Sequence, residues 1–291
     1  MEINQTFQKL SKEDILSKKS YPVWFFTNER FGNFFKKIES KGNLRKVFSI
    51  GGGGDFAFLL LSSKLLSIEN ICICDVRQMA NISIDLKISL YKKFKLNEII
   101  DIFILNKYFN KYEIYKKIEA VINPVTKDIL EYIFTKINVD NFLKCIKKTK
   151  LWYRHSFWQI KQRSDYLPYL LSENSYTLLQ NNLDKISICA GDFNENIKFF
   201  NNNYFDLIYT SNIFDSVNYC KNPKEYLKTI YDKLNNDGFM FITTQDNPKI
   251  ITKLIEHSGF KLIEKERHNF NIISSILGHY SYSFLLFKKT I

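Results

Sequence analysis

The sequence has no C-x-x-C pair and no cluster of cysteine and histidine at zinc spacing. Its five cysteines stand singly or, at Cys72 and Cys74, one residue apart. No metal centre is therefore expected. Cys72 and Cys74 lie in a short apolar run where alternate side chains share one face, and reduced cysteines in a core point to the cytoplasm. No apolar run approaches the ~20 residues that a membrane-spanning helix requires. Residues 1–14 are polar and carry acids, which is not the make-up of a signal peptide. A phosphate loop ending in Gly-Lys-Ser/Thr is missing, as are an RNA-recognition signature and a DNA-binding motif. Nucleic acid is not expected as a partner.

What the chain does have is apolar mass and positive charge. Hydrophobic residues make up 45% and aromatics 16%, which suits a packed α/β domain plus an insertion within 291 residues. Basic side chains outnumber acidic ones by 42 to 30, a net charge of +12. An excess of that sign suits an anionic partner, and peripheral contact with an anionic membrane is one expectation. The lysines are spread in small doublets with no long basic tract, so a drift in overall composition accounts for the charge as well. The oligomeric state stays open.

The most informative feature is a run of four glycines. Val47 to Ile50 reads as a strand; Gly51, Gly52, Gly53 and Gly54 follow, then Asp55 and an apolar helix-like stretch. A strand turning sharply into a helix leaves bare backbone for a ligand, because glycine has no Cβ and tolerates positive φ. A second short apolar strand, Ile71 to Cys74, ends in Asp75, where an acid suits both hydroxyls of an adenosine ribose. The dinucleotide fingerprint fails, since Phe56 stands where its last glycine belongs. A glycine turn closed by an acid, with no lysine for phosphate, is the profile expected for S-adenosylmethionine.

Further along, 186–193, 204–212 and 239–244 read as strands, with a helix over 223–234 and a turn at 235–238. The segments 260–265 and 282–287 read as closing strands, the last antiparallel. Apolar runs alternating with amphipathic segments predict a doubly wound, mostly parallel α/β sheet. In this order the segments resemble the class I S-adenosylmethionine-dependent methyltransferase fold, over 47–96 and 185–291. Residues 1–46 are expected as a helical cap. The resemblance implies roles. Gly51 to Gly54 and Asp55 would line the cofactor, Asp75 the ribose, and Gln78 the adenosine. Asp192 would accept from the adenine amino group, with Phe193 against the ring. Tyr209, Ser211 and Asn212 would end the fourth strand near the sulfonium and acceptor, and Asp215 and His155 are the candidate bases.

Between the second strand's helix and the third strand, 97–184 is extra. It reads as helices over 112–122, 127–137, 139–148 and 151–161, broken at Pro124 and Pro168, and is expected to act as a lid that forms the acceptor site. Trp152, Tyr153, Arg154, His155 and Trp158 either serve an acceptor or form the insertion's own core. Asp75 followed by Gln78, then Leu86-Lys87, then Tyr166 to Leu170 is similar to the 3-amino-3-carboxypropyl transferases of betaine-lipid synthesis, although Val76-Arg77 departs from that group's Asn-Pro. That resemblance implies aminocarboxypropyl transfer to a lipid hydroxyl, an amine or another small nucleophile. The alternative is methyl transfer to a small molecule.

Overall fold

The computed structural model describes residues 31–103, 111–136, 167–215, 222–268 and 282–290. Chain order starts with α1 (Gly32–Glu39), β1 (Lys46–Ile50), α2 (Asp55–Leu61), β2 (Asn70–Asp75) and α3 (Gln78–Lys93). Then come α4 (Leu96–Phe103), α5 (Lys111–Ile118), α6 (Pro124–Lys136), a single 3-10 turn (Pro168–Leu170) and α7 (Glu173–Asn182). The second half runs β3 (Ile186–Ala190), α8 (Phe193–Lys198), β4 (Phe205–Tyr209), α9 (Pro223–Lys233), β5 (Leu234–Thr244), α10 (Pro248–Glu256), β6 (Phe260–His268) and β7 (Tyr282–Lys289).

The strands form one seven-stranded sheet in the order β3-β2-β1-β4-β5-β7-β6. The pairs from β3 to β5 are parallel, and β7 runs antiparallel to both its neighbours. This is the doubly wound sheet that the sequence pattern predicts, with the expected antiparallel final strand. Side chains alternate between its faces, as strand geometry requires. Val47, Ile71, Ile73, Leu207, Tyr209 and Phe241 meet α1, α2 and α3 in one apolar layer. Phe48, Cys72, Cys74, Ile208 and Met240 meet α8, α9 and α10 in the other. Both faces being covered is why the central strands are apolar throughout rather than alternating.

The layer beside α1 is dense in aromatic rings. Phe34 stacks on Phe241 and Phe284 with centroids 5.3 and 5.4 Å apart, and Phe56 sits 4.4 Å from Tyr209. Each such ring buried contributes about 1.5–3 kcal/mol, which anchors α1 although it has only eight residues.

Three expectations change. The predicted turn at 235–238 is instead a bulged start of β5: the register slips between Phe205 and Leu207, where the Asn235 amide donates to Asp206. Pro124 and Pro168 do not break helices but begin them, in the first-turn position where the missing N–H costs nothing. The end of the predicted insertion also rejoins the main core before 184. Tyr169, Leu170, Tyr176 and Leu179 are buried with α2 and α3, and the Tyr176 hydroxyl donates to the Phe94 carbonyl at 2.8 Å. The helices expected over 139–148 and 151–161, and with them His155, lie outside the described residues. No helix among the described residues is long and apolar enough to cross a membrane.

Candidate functional site

β1 lies between β2 on one side and β4 on the other, so the chain's crossovers diverge at its carboxyl end. Open α/β sheets place their ligand crevices at such a point. There the Gly51 N–H donates to the Cys74 carbonyl at 2.7 Å, and the Gly54 N–H donates back to Gly51 at 2.7 Å. Gly52 and Gly54 have φ of +48° and +78°, so the turn needs glycine at both. A Cβ on Gly51 would come within 2.8 Å of the Asp75 Cβ, whereas one on Gly52 would meet no atom of the described residues within 4 Å. The turn is packed at Gly51 and open at Gly52.

Asp75 closes β2 and is 5% exposed. Its Oδ2 accepts from the Gly52 N–H at 2.9 Å, and Oδ1 from the Arg77 N–H at 2.9 Å. The Asn81 amide and the Gly191 N–H both donate to the Asp75 carbonyl. The acid is thus fixed against the glycine turn. Beside it Val76 is 68% exposed, an apolar side chain on the open side that the sequence reading passed over. Its signal was a bulky aliphatic residue directly after the acid that ends a strand. Gln78 is partly exposed at the first position of α3.

Asp192 caps α8, accepting from the Asn194 and Glu195 N–H groups at 2.8 and 3.1 Å, and receives the Tyr226 hydroxyl at 3.0 Å. Phe193 is buried edge-on against Phe48 at 5.0 Å and lies parallel to Tyr226. At the end of β4, Ser211 has φ of +50°. That conformation costs a non-glycine residue about 1–3 kcal/mol and gathers at functional edges. Its carbonyl accepts from the Thr243 N–H at 3.2 Å, and Asn212 beside it is partly exposed.

Three predicted site residues face elsewhere. Asp55 turns into the core: its side chain is fully buried, 3.1 Å from Lys87 Nζ, and accepts from the Tyr169 hydroxyl at 2.5 Å. Burial lowers the Lys87 ammonium below its ordinary range, opposed by Asp55, while burial and then Asp55 raise the Tyr169 phenol. Tyr209 is 3% exposed, stacked 4.9 Å from Phe241, because it shares its strand face with Leu207. Asp215 accepts from the Thr244 hydroxyl and from the Gln245 N–H at 2.9 Å, holding the end of β5. Burial raises its carboxyl above the usual range, against those two hydrogen bonds. None of the three fits its predicted role. Among the described residues no group of three or more histidine, cysteine or acidic side chains could hold a metal ion.

On the same edge, between β5, β6 and the start of β7, a cavity of about 410 Å³ is lined by Gln245, Asp246, Lys249, Arg267 and Ser283 among others. It adjoins the turn that Asp215 holds.

No protein-family model matches the sequence, and no curated protein matches it either. Solved structures do overlap it. One is the N-methyltransferase NodS from Bradyrhizobium japonicum in complex with S-adenosyl-L-homocysteine, at 10% identity over 95% of each chain, TM-score 0.43. Another is a spermidine synthase in complex with the transition-state analogue AdoDATO, 15% identical over 84% of this chain and 53% of that one, TM-score 0.36. The cyclase SpnF overlaps 89% of this chain and 81% of its own at 9% identity, TM-score 0.41. With identities and TM-scores this low, the functional reading rests on the chain's own topology and residues.

Proposed function

We propose that this chain is an S-adenosylmethionine-dependent transferase, and that it transfers the methyl group to a small-molecule or lipid acceptor. The observation that carries this is the Asp75 carboxylate held by the Gly52 N–H, at the strand-order reversal, where a Cβ on Gly52 would meet no atom of the described residues within 4 Å. The residues present fit that cofactor. Asp75 has lone pairs left for two ribose hydroxyls, Val76 offers an apolar face for the adenine, and Gly52 admits close approach. Asp192 and Gln78 would orient the base. A pyrophosphate fits poorly, because α2 opens with an acid and is buried along its whole length.

The bound cofactor supplies an electrophilic carbon on a sulfonium. The protein's part is alignment and exclusion of water, which together supply much of the rate in such displacements. Ser211 and Asn212 stand where the fourth strand ends and would border the reacting centre. The cavity lined by Lys249 and Arg267 is our candidate for the acceptor's far end, and the insertion that begins at 97, without its end from Tyr169 that returns to the core, is the candidate lid. We read the compartment as cytoplasmic, on the reduced and buried Cys72, Cys74 and Cys189.

Aminocarboxypropyl transfer is the second reading. It is favoured by one observation: Lys87 and Tyr169, two pieces of the motif that resembles that group, meet at Asp55 of the glycine turn. Chromatography of the nucleoside product after incubation with S-adenosylmethionine and a cell extract separates the two. S-adenosylhomocysteine supports methyl transfer; methylthioadenosine replaces it with the second reading. Neither product, with the cofactor still bound, would make the chain a binding protein.

A further inference from the structure

Asp55, Lys87 and Tyr169 form a fully buried polar cluster in the apolar layer beneath the glycine turn. Lys87 Nζ lies 3.1 Å from Asp55 Oδ1, both side chains at zero exposure, and the ammonium sits 5.2 Å from the centre of the Phe58 ring. The Tyr169 hydroxyl donates to the same Asp55 oxygen at 2.5 Å and lies 3.4 Å from the Tyr91 hydroxyl. The three residues come from three segments: the first position of α2, the middle of α3, and the 3-10 turn through which the chain returns to the core.

The placement joins the first two strand–helix units a second time. At the sheet edge they are joined by Gly51 to Cys74 and by Gly52 to Asp75. Underneath, Asp55 to Lys87 ties the helix that follows the glycines to the helix that follows Asp75. Gly54, the left-handed cap of α2, sits between the two joints, packed against Ile84 and Phe58. A buried ion pair is a poor source of stability, because desolvation of both charges offsets their attraction and apolar replacements of similar volume serve as well. Its distinct property is directional: an ammonium and a phenol that converge on one carboxylate oxygen fix its position better than apolar contact does.

We infer that Lys87 and Tyr169 are positioning residues, which hold Asp55 and through it set the distance of the Gly52 N–H from Asp75. Tyr169 thereby links the end of the insertion to the glycine turn. The inference rests on the cofactor reading for its functional consequence, but its structural content stands apart from it.

The test uses the full chain and three proteins: wild type, Tyr169→Phe, and the charge-free pair Asp55→Leu with Lys87→Met. Each is measured for thermal unfolding, amide hydrogen exchange at Gly52 and Gly54 without cofactor, and binding of S-adenosylmethionine by calorimetry. The double variant is expected to keep the wild-type Tm and Tyr169→Phe to lower it, because the buried Asp55 carboxylate loses a donor. Both should exchange faster at those two amides and bind the cofactor about tenfold more weakly, within the range reached by residues acting through a packed network. Tyr169→Phe, the milder change, carries the test if the double variant does not fold. Unchanged exchange at Gly52 and Gly54 in folded variants overturns the positioning claim, whatever the cofactor does. Faster exchange, with no cofactor binding by wild type, keeps the positioning claim and overturns the cofactor reading alone.

Discussion

Two aspartates stand at the carboxyl edge of the sheet on opposite sides of β1, and each is bound by the backbone of a neighbouring turn. Asp75 accepts from the Gly52 N–H, and Asp215 from the Gln245 N–H, both at 2.9 Å. In the sequence, Asp75 ends an apolar strand and is expected at the ribose, while Asp215 follows an apolar strand by six residues and is expected as a base. The difference lies in what surrounds them. Beside Asp75 the turn is open at Gly52 and Val76 stands exposed, although the carboxylate itself is buried and shared with Arg77. Asp215 is enclosed by Thr244 and Gln245, and its carboxylate closes the protein's own edge. On the reading proposed here, the acid beside the open turn is the one that binds a ligand.

That contrast is broken or sharpened first by truncating each acid. Asp75→Ala should weaken S-adenosylmethionine binding about a hundredfold, the loss of two charge-assisted hydrogen bonds of ~1.5 kcal/mol each. Asp215→Ala should leave binding within about threefold while costing about 1–3 kcal/mol of stability through the unsatisfied Gln245 amide. Calorimetry and chemical denaturation on both proteins read the two effects, and a reversal of the pattern would exchange the roles assigned here.

The glycines offer a second contrast. Gly51→Ala forces its Cβ into Asp75 itself and should cost about 1–3 kcal/mol, with loss of cofactor binding. Gly52→Ala meets no atom of the described residues within 4 Å and should cost only about 1 kcal/mol for its positive φ. It should still obstruct the cofactor. Equal effects on stability would mean that packing does not distinguish Gly51 from Gly52.

The smallest effect concerns pH. Burial raises the Asp215 carboxyl above its unfolded value, so the folded state binds the proton more tightly. Stability from this group is therefore greatest at acid pH and is lost as pH rises from the ordinary carboxylate range through the raised value. Asp215→Asn should remove that loss and unfold at a higher temperature than wild type at pH 7, the advantage vanishing near pH 3.8, the carboxyl's ordinary value. An advantage that persists in acid would assign Asp215 a paired, ionised role instead.

Much of this was legible in the sequence, because it is local. The glycine run, the acid ending β2 and the Gly-Asp after β3 are each contiguous, and the alternation of apolar and amphipathic segments points to the doubly wound sheet. Asp55 was not, since the direction of a helix's first side chain depends on what lies behind it. A clue was present: 56–61 is apolar without interruption, so the helix is buried all round and its first residue with it. Lys87 carried a similar clue, flanked on its helix face by Ile84, Ile88 and Tyr91, which belong to the core. Tyr209 shares a face with Leu207, and alternation along β4 would have placed it among the aromatic rings. Asp215 had no such signal, because its partners Thr244 and Gln245 come from another strand.

The most direct measurement is a crystal structure with S-adenosylhomocysteine bound. Both ribose hydroxyls should then lie within hydrogen-bond distance of the Asp75 carboxylate, with the nucleoside over Gly52. A nucleoside bound elsewhere, such as the cavity beside Arg267, or one that leaves Asp75 untouched, would contradict the assignment of this edge as the cofactor site.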